Sequence, residues 1–335
     1  MIPDYEQLKS YWFIACRSKQ LRKKPRACTI LGMPLVLFRG EGRKPTALLD
    51  RCPHRNLPLS CGSIKGHHVE CCYHGWQFDS EGVCQKVPGL TREHKAIHRN
   101  VAKFLTAEKY GFIWVNLSHK VNAIYPPPFL NKSGYSTFTW ETEFEGALID
   151  VLENFLDGTH THFVHKGLIR GDSKRQSVQA QVSRSEQKVV VCYTGEGKQS
   201  GIISQLFERD RKESWARFML PAIAELEYRS SVATTLAITA YLSPISASKH
   251  KIYAVISFKK SWFSGFLGRW LITPFFALAV KQDQKILKLQ KDNMSKFQDK
   301  PHFISTQNDL LRPHILELLA MKHDTSINKS VAMEL

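Results

Sequence analysis

Apolar and polar positions divide the chain into two differently patterned stretches. In the first third, short β-branched and aromatic runs at Tyr11–Ala15, Leu35–Phe38, Thr46–Leu49 and Tyr110–Leu117 are separated by Gly-, Pro- and Arg-containing turns, a pattern of short strands. Gln77–Gly82 reads as a hairpin with glycine at its turn. Pro126-Pro127-Pro128 then reads as an extended inter-domain connection. Beyond it, strands are expected at Trp140–Leu148, Lys188–Tyr193, Ala216–Leu220, Val232–Leu242 and Lys251–Phe258, and a mainly antiparallel sheet is their natural container. Helices are expected from Ile149 to about Val164, over Gln282–Gln298, and within Asn308–Lys322 around Pro313. The predicted class is α+β, with domains over residues 1–121 and 122–335.

Composition changes this picture little. A chain of 335 residues with 43% hydrophobic and 11% aromatic content is long enough for two cores and is not disordered. The net charge of +17 suits either solubility or an acidic partner or substrate. The basic residues fall in short clusters (Arg22-Lys23-Lys24, Lys174-Arg175, Lys259-Lys260) with no recognition motif around them, so no nucleic-acid partner is expected. Eight cysteines are too few for a disulfide framework and point to a reducing compartment. The start Met1–Glu6 lacks the basic and apolar segments of a signal peptide, so the expected location is the cytoplasm.

Two constellations carry chemistry. Cys52-Pro53-His54 and Cys71-Cys72-Tyr73-His74 form a Cys-x-His pair and a Cys-x-x-His pair separated by sixteen residues. Two thiolates and two imidazoles suit one tetrahedral zinc or a [2Fe–2S] cluster with cysteines on one iron and histidines on the other, and spacing alone does not choose between them. Cys72 sits beside Cys71, but only Cys71 keeps the two-residue gap to His74. In the second constellation, Glu153 to His165, the residues Asn154, Asp157 and His160 share one face if the segment is helical, whereas His165 lies well off that face unless the helix bulges or ends near Thr161. Two histidines with open positions around a metal suggest a facial triad whose third ligand is a distant carboxylate. Asp283 is the best candidate, against the plain reading of an acid at a helix N-terminus, and Asp292 is the fallback.

Together these motifs resemble the α-subunit of Rieske non-haem iron oxygenases, most closely the vanillate O-demethylase type, with a fainter likeness to chlorophyll-breakdown and sterol oxygenases. The resemblance implies an N-terminal antiparallel β Rieske domain and a C-terminal catalytic domain with a helix-grip-like sheet. Cys52, His54, Cys71 and His74 would hold the [2Fe–2S] cluster, the two histidines near the surface; His160, His165 and Asp283 would hold a mononuclear Fe(II). It also implies a homotrimer in which Asp157 links His160 to a cluster histidine, His74, across a subunit boundary, with Asn154 close behind. Electrons would come from NADH or NADPH through a separate flavin/iron–sulfur reductase or ferredoxin, and O2 would hydroxylate or oxidatively demethylate a small apolar or aromatic molecule. The pair Gln282-Asp283 departs from the acidic pair often seen at the late ligand. His162 has no motif role and reads as solvent-facing or as a polar group of the pocket.

Trp262–Val280 is apolar apart from Arg269, but Gly265, Gly268, Arg269 and Pro274 argue against a bilayer span. A buried helix or pocket lid is expected. The alternative is an interfacial segment that contacts a membrane peripherally and admits a lipid-like substrate such as a sterol or tetrapyrrole. A Rieske electron carrier without oxygenase activity would need only residues up to about Leu117.

Overall fold

The computed structural model describes residues 5–90, 99–120, 122–170, 175–197, 201–202, 204, 210–260, 266–322 and 326–335, with backbone only at 5, 266–269, 271 and 272. Met1–Asp4, position 121 at the expected domain boundary, Lys174, and Trp262 to Gly265 of the apolar stretch lie outside them. The chain divides into two compact units: Tyr5–Tyr125 with Ser243–Ser246, and Pro126–Leu242 with Ala247–Leu335.

The first unit opens with a short helix α1 (Tyr5–Leu8) and holds two antiparallel sheets. In chain order its strands are β1 (Trp12–Arg17), β2 (Arg26–Ile30), β3 (Met33–Arg39), β4 (Pro45–Leu49), β5 (Ser63–Lys65), β6 (His68–Glu70), β7 (Gln77–Phe78), β8 (Cys84–Lys86), β9 (Lys103–Lys109) and β10 (Phe112–Asn116). They pair in the orders β1-β10-β9-β4-β3-β2 and β5-β6-β7-β8. Val36, Phe38 and Leu48 from the larger sheet pack with Val69 and Phe78 from the smaller into one core, which also contains Cys52 and Cys71. Each sheet therefore carries a loop whose cysteine is anchored in shared apolar packing.

The second unit is one eight-stranded antiparallel sheet: β11 (Tyr135–Glu145), β12 (Ser177–Ser185), β13 (Lys188–Thr194), β14 (Arg211–Met219), β15 (Ile223–Ser230), β16 (Thr234–Ser246), β17 (Lys249–Lys259) and β18 (Ile327–Glu334), in the order β11-β17-β16-β15-β14-β13-β12-β18. Its helices are α2 (Leu148–Leu156), α3 (Phe266–Met294) and α4 (Arg312–Leu319). Helix α2 packs on β14 and β15, and α3 on β11. Phe138, Leu236, Ile238, Ala254 and Ile256, spaced two apart along their strands, form the sheet side of a core closed by Phe155 of α2 and Phe276 of α3.

Several expected elements are corrected. The strand beginning at Trp140 starts at Tyr135 and stops at Glu145, leaving Leu148 to open α2. The helix expected to reach Val164 ends at Leu156, because Asp157 is extended (φ −75°, ψ 126°), and only a short 3-10 turn, Thr159–His162, follows. The helix expected from Gln282 begins at Phe266, so most of the apolar stretch and Asp283 belong to one 29-residue helix that accommodates Pro274. Pro313 sits in the first turn of α4, where its missing N–H has no helical acceptor to lose. Strand β12 alternates perfectly between exposed and buried positions, but its inward residues Val178, Ala180, Val182 and Arg184 are small or charged, and the alternation is quiet in sequence. Among the described residues no helix is long and apolar enough to cross a membrane.

Strand β17 carries one fully buried titratable ring. His250 donates from Nε2 to Gly146 O at 3.0 Å, and burial lowers its pKa from 6.5 to about 4, against that hydrogen bond. Because the unfolded chain binds this proton and the folded chain resists it, the contribution of His250 to stability is complete above about pH 6.5 and falls as the pH drops towards 4. His250→Gln keeps a donor for Gly146 O without titrating. The wild-type advantage in urea unfolding should therefore shrink between pH 7 and 4.5.

Candidate metal centres

The two cysteine loops of the first unit close identically. Cys52 N–H donates to Leu57 O (2.8 Å) and Asn56 N–H to Cys52 O (2.9 Å); Cys71 N–H donates to Trp76 O (2.8 Å) and Gly75 N–H to Cys71 O (3.1 Å). In both, the residue four after the cysteine takes a positive φ, 61° at Asn56 and 69° at Gly75, which Asn and Gly tolerate best. The loops bring the His54 and His74 rings to 4.4 Å between centroids, and Trp76 stacks on His54 at 4.9 Å. Cys52 and Cys71 are buried, His54 is half-buried and His74 is exposed with Tyr73 against it. Cys72 is exposed and turned away from this core.

This donor set fits a cluster. Burial pushes the Cys52 thiol up to about 11, with the neighbouring Cys71 adding to the rise, while backbone N–H groups of His54 and Arg55 aim at its sulfur. Those groups would stabilise a thiolate once a cation replaced the proton.

In the second unit, Asp157 builds the site locally. After α2 ends, its carboxylate accepts the N–H of Thr159 (2.7 Å) and of His160 (3.1 Å) and the Thr159 hydroxyl (2.8 Å), capping the 3-10 turn that carries His160. The same carboxylate lies 3.4 Å from His160 Nδ1. His165 follows one turn later and is buried, and α3 supplies Asp283. Their tips converge: His160 Nε2 to His165 Nε2 is 3.3 Å, His165 Nε2 to Asp283 Oδ1 is 3.0 Å, and His160 Nε2 to Asp283 Oδ1 is 3.6 Å. Metal bonds of about 2.1 Å at right angles would put ligand atoms about 3.0 Å apart, so this triangle fits one octahedral face. Burial works to lower the His160 pKa, but the Asp157 and Asp283 carboxylates outweigh it and raise it to about 9. A bound divalent cation would take over the role of that proton.

Asn154 Nδ2 donates to Asp283 Oδ1 at 3.4 Å, and His165 Nδ1 lies 2.8 Å from Gln282 Oε1. The second contact gives Gln282 a place that its sequence position beside Asp283 only hinted at. Asp292 instead pairs with Lys288 on the exposed side of α3. His162 is buried rather than solvent-facing, 3.0 Å from Arg170 Nη1, whose guanidinium also meets Glu196. The triad opens into a cavity of ≈170 Å³ walled mainly by apolar and aromatic groups, among them Trp140, Phe155, Leu226, Ile238, Ala254 and Phe276. On the other side of His160 and Asp157 lies a shallower depression of ≈320 Å³ bounded by Asp150, Glu153, Ile286, Phe303 and Ile304.

Residues 11–105 match the Rieske [2Fe-2S] domain family, and residues 148–320 match the vanillate O-demethylase oxygenase C-terminal domain family. The chain belongs to the Rieske oxygenase family. Among Rieske oxygenases it is similar to methylxanthine N1-demethylase NdmA of Pseudomonas putida, 31% identical over 179 residues that make up 50% of each chain. The chain spans about half the length of the curated relatives it matches. Its fold is that of NdmA of Pseudomonas putida solved with caffeine (TM-score 0.78, 21% identity, 94% of this chain and 91% of that one). It is equally that of dicamba monooxygenase bound to dicamba (TM-score 0.79, 20% identity, 94% and 97%). The expected fold class, mainly antiparallel sheets with few helices in a Rieske domain and a catalytic domain, is borne out.

Gly75 tests the loop geometry. A Cβ there would stand 3.1 Å from Pro88 Cγ on a left-handed backbone, so Gly75→Ala should destabilise the first unit by roughly 1–2 kcal/mol. Visible absorbance of the cluster should bleach at lower temperature than in wild type, whereas Asn56→Gly should leave it almost unchanged.

Proposed function

We propose that this chain is the oxygenase component of a Rieske-type system that uses O2 and externally supplied electrons to hydroxylate or oxidatively demethylate a small apolar or aromatic molecule. The observation that carries this reading is the convergence of His160 Nε2, His165 Nε2 and Asp283 Oδ1 at the edge of an apolar cavity. An electron carrier alone would have no use for either. On this reading residues 1–121 are the Rieske domain, with Cys52, His54, Cys71 and His74 as cluster ligands, and residues 122–335 are the catalytic domain. His160, His165 and Asp283 would hold a mononuclear iron, which would supply O2 activation, and the cluster would supply electrons. The chain's own residues do the rest. Asp157 orients His160, Asn154 steadies Asp283, and the aromatic cavity wall excludes water and turns the substrate's oxidisable carbon towards the triad.

The electron source is a separate flavin/iron–sulfur reductase or ferredoxin oxidising NADH or NADPH, and the working assembly is a homotrimer. Two observations support the trimer. His74 is exposed in one unit, and the depression beside Asp157 in the other is rimmed by acids and by Ile304, 90% exposed. Asp157 would there join His160 to His74 of the partner subunit. All eight cysteines are free, which favours the cytoplasm. A second reading, peripheral membrane contact with a lipid-like substrate, draws on Trp270 (66% exposed) and Leu278 in the apolar half of α3. Recovery of the protein in a high-salt membrane pellet would favour it.

The decisive experiment is NADH- and O2-dependent turnover with a surrogate reductase over methoxyaromatics, N-methyl compounds and sterols, scored for formaldehyde or hydroxylated product. Zinc in place of iron and a colourless protein after anaerobic iron–sulfur reconstitution would overturn the proposal. His160→Ala should keep the cluster spectrum but lose mononuclear iron and all product formation. Asp157→Asn, which keeps an oxygen to accept the Thr159 and His160 N–H groups but removes the charge, should retain both metals while coupled turnover falls about 10–100-fold, and full activity in that variant would remove the bridge.

A further inference from the structure

The two imidazoles of the triad turn their far nitrogens to groups of different charge. His160 Nδ1 faces the Asp157 carboxylate at 3.4 Å. His165 Nδ1 faces the Gln282 amide oxygen at 2.8 Å, a neutral acceptor. Gln282 immediately precedes Asp283 on α3, so the helix turn that brings the carboxylate to the triad also brings the acceptor that holds its neighbour. The His165 side chain is only 3% exposed, which leaves little room for water to serve Nδ1 instead. An imidazole that donates from Nδ1 keeps its lone pair on Nε2, the atom 3.0 Å from Asp283 Oδ1 and 3.3 Å from His160 Nε2.

We propose that Gln282 is a positioning residue that holds His165 in the Nδ1–H tautomer and, because it is neutral, keeps the local charge around a bound divalent metal balanced. This role rests on reading the triad as a metal site. Asp283 and Asp157 together carry the charge needed to neutralise a divalent ion; a carboxylate at 282 would add a third anion in a half-buried setting and draw the His165 proton towards itself. Both effects raise ligand basicity and favour the trivalent over the divalent metal. The amide orients the ring without that push.

The test compares Gln282→Met, of similar length but without an acceptor, with Gln282→Glu, which restores an acceptor and adds charge. The measurements are anaerobic Fe(II) and Co(II) affinity by chelator competition in cluster-loaded protein, and the midpoint potential of the mononuclear iron. Gln282→Met should bind metal about 10–100-fold more weakly than wild type. Gln282→Glu should bind at least as tightly as wild type and show a lower potential. Unchanged affinity in Gln282→Met, or equal loss in both variants, would overturn the orienting role; an unchanged potential in Gln282→Glu would overturn the charge role. Failure of wild type to take up a divalent ion in a manner sensitive to His165→Ala would instead sink the metal-site reading itself, and this inference with it.

Discussion

The capping of the 3-10 turn by Asp157 is the interaction on which the second centre depends. Were the segment from Ile149 to Val164 one helix, His160 and His165 would stand about 140° apart around its axis and could not meet. Asp157 instead stops α2 and accepts the N–H groups of Thr159 and His160, and the tighter turn folds both rings to one point. The carboxylate that shapes the backbone also faces His160 Nδ1, so local folding and ligand orientation are the same event. The third donor of the candidate triad needs no such device. Asp283 stands on a long helix held against β11, and its position follows from that packing.

The first centre is organised by a different constraint. Two loops with the same hydrogen-bond closure place their cysteines in one apolar core and their histidines at or near the surface. Sulfur ligands in low-dielectric packing and imidazoles with access to solvent give a redox group a protected side and a contact side. The unequal spacing, two residues from Cys52 to His54 and three from Cys71 to His74, is absorbed within loops of equal length, because both close at the fourth and fifth residues after the cysteine.

Around the triad, neighbouring groups differ in charge as well as in position. An anion stands behind His160, an amide behind His165, and an amide N–H beside Asp283. The cavity beyond is walled mainly by apolar and aromatic groups from β11, β13–β17, α2 and α3, so most of the surface a substrate would meet is hydrocarbon.

By itself the sequence determined the donor inventory and the class of fold. Cys52, His54, Cys71, His74, Asp157, His160 and His165 were legible as candidate donors because residue type at short spacing is a local property, Asp283 only as the distant carboxylate that such a histidine pair calls for, and the β-branched runs announced strands. What it could not carry was whatever depends on distant packing. The quiet alternation of Ser177–Ser185 becomes a strand only through its neighbours β13 and β18, and the described part of the apolar stretch joins the segment around Asp283 in one helix, Phe266–Met294, only in the fold. The burial of His162 against Arg170 and the grip of Gln282 on His165 were decided there too. A hydrogen bond between residues 117 positions apart leaves no period and no spacing to read; it exists because two elements, each stable for its own reasons, are packed into contact.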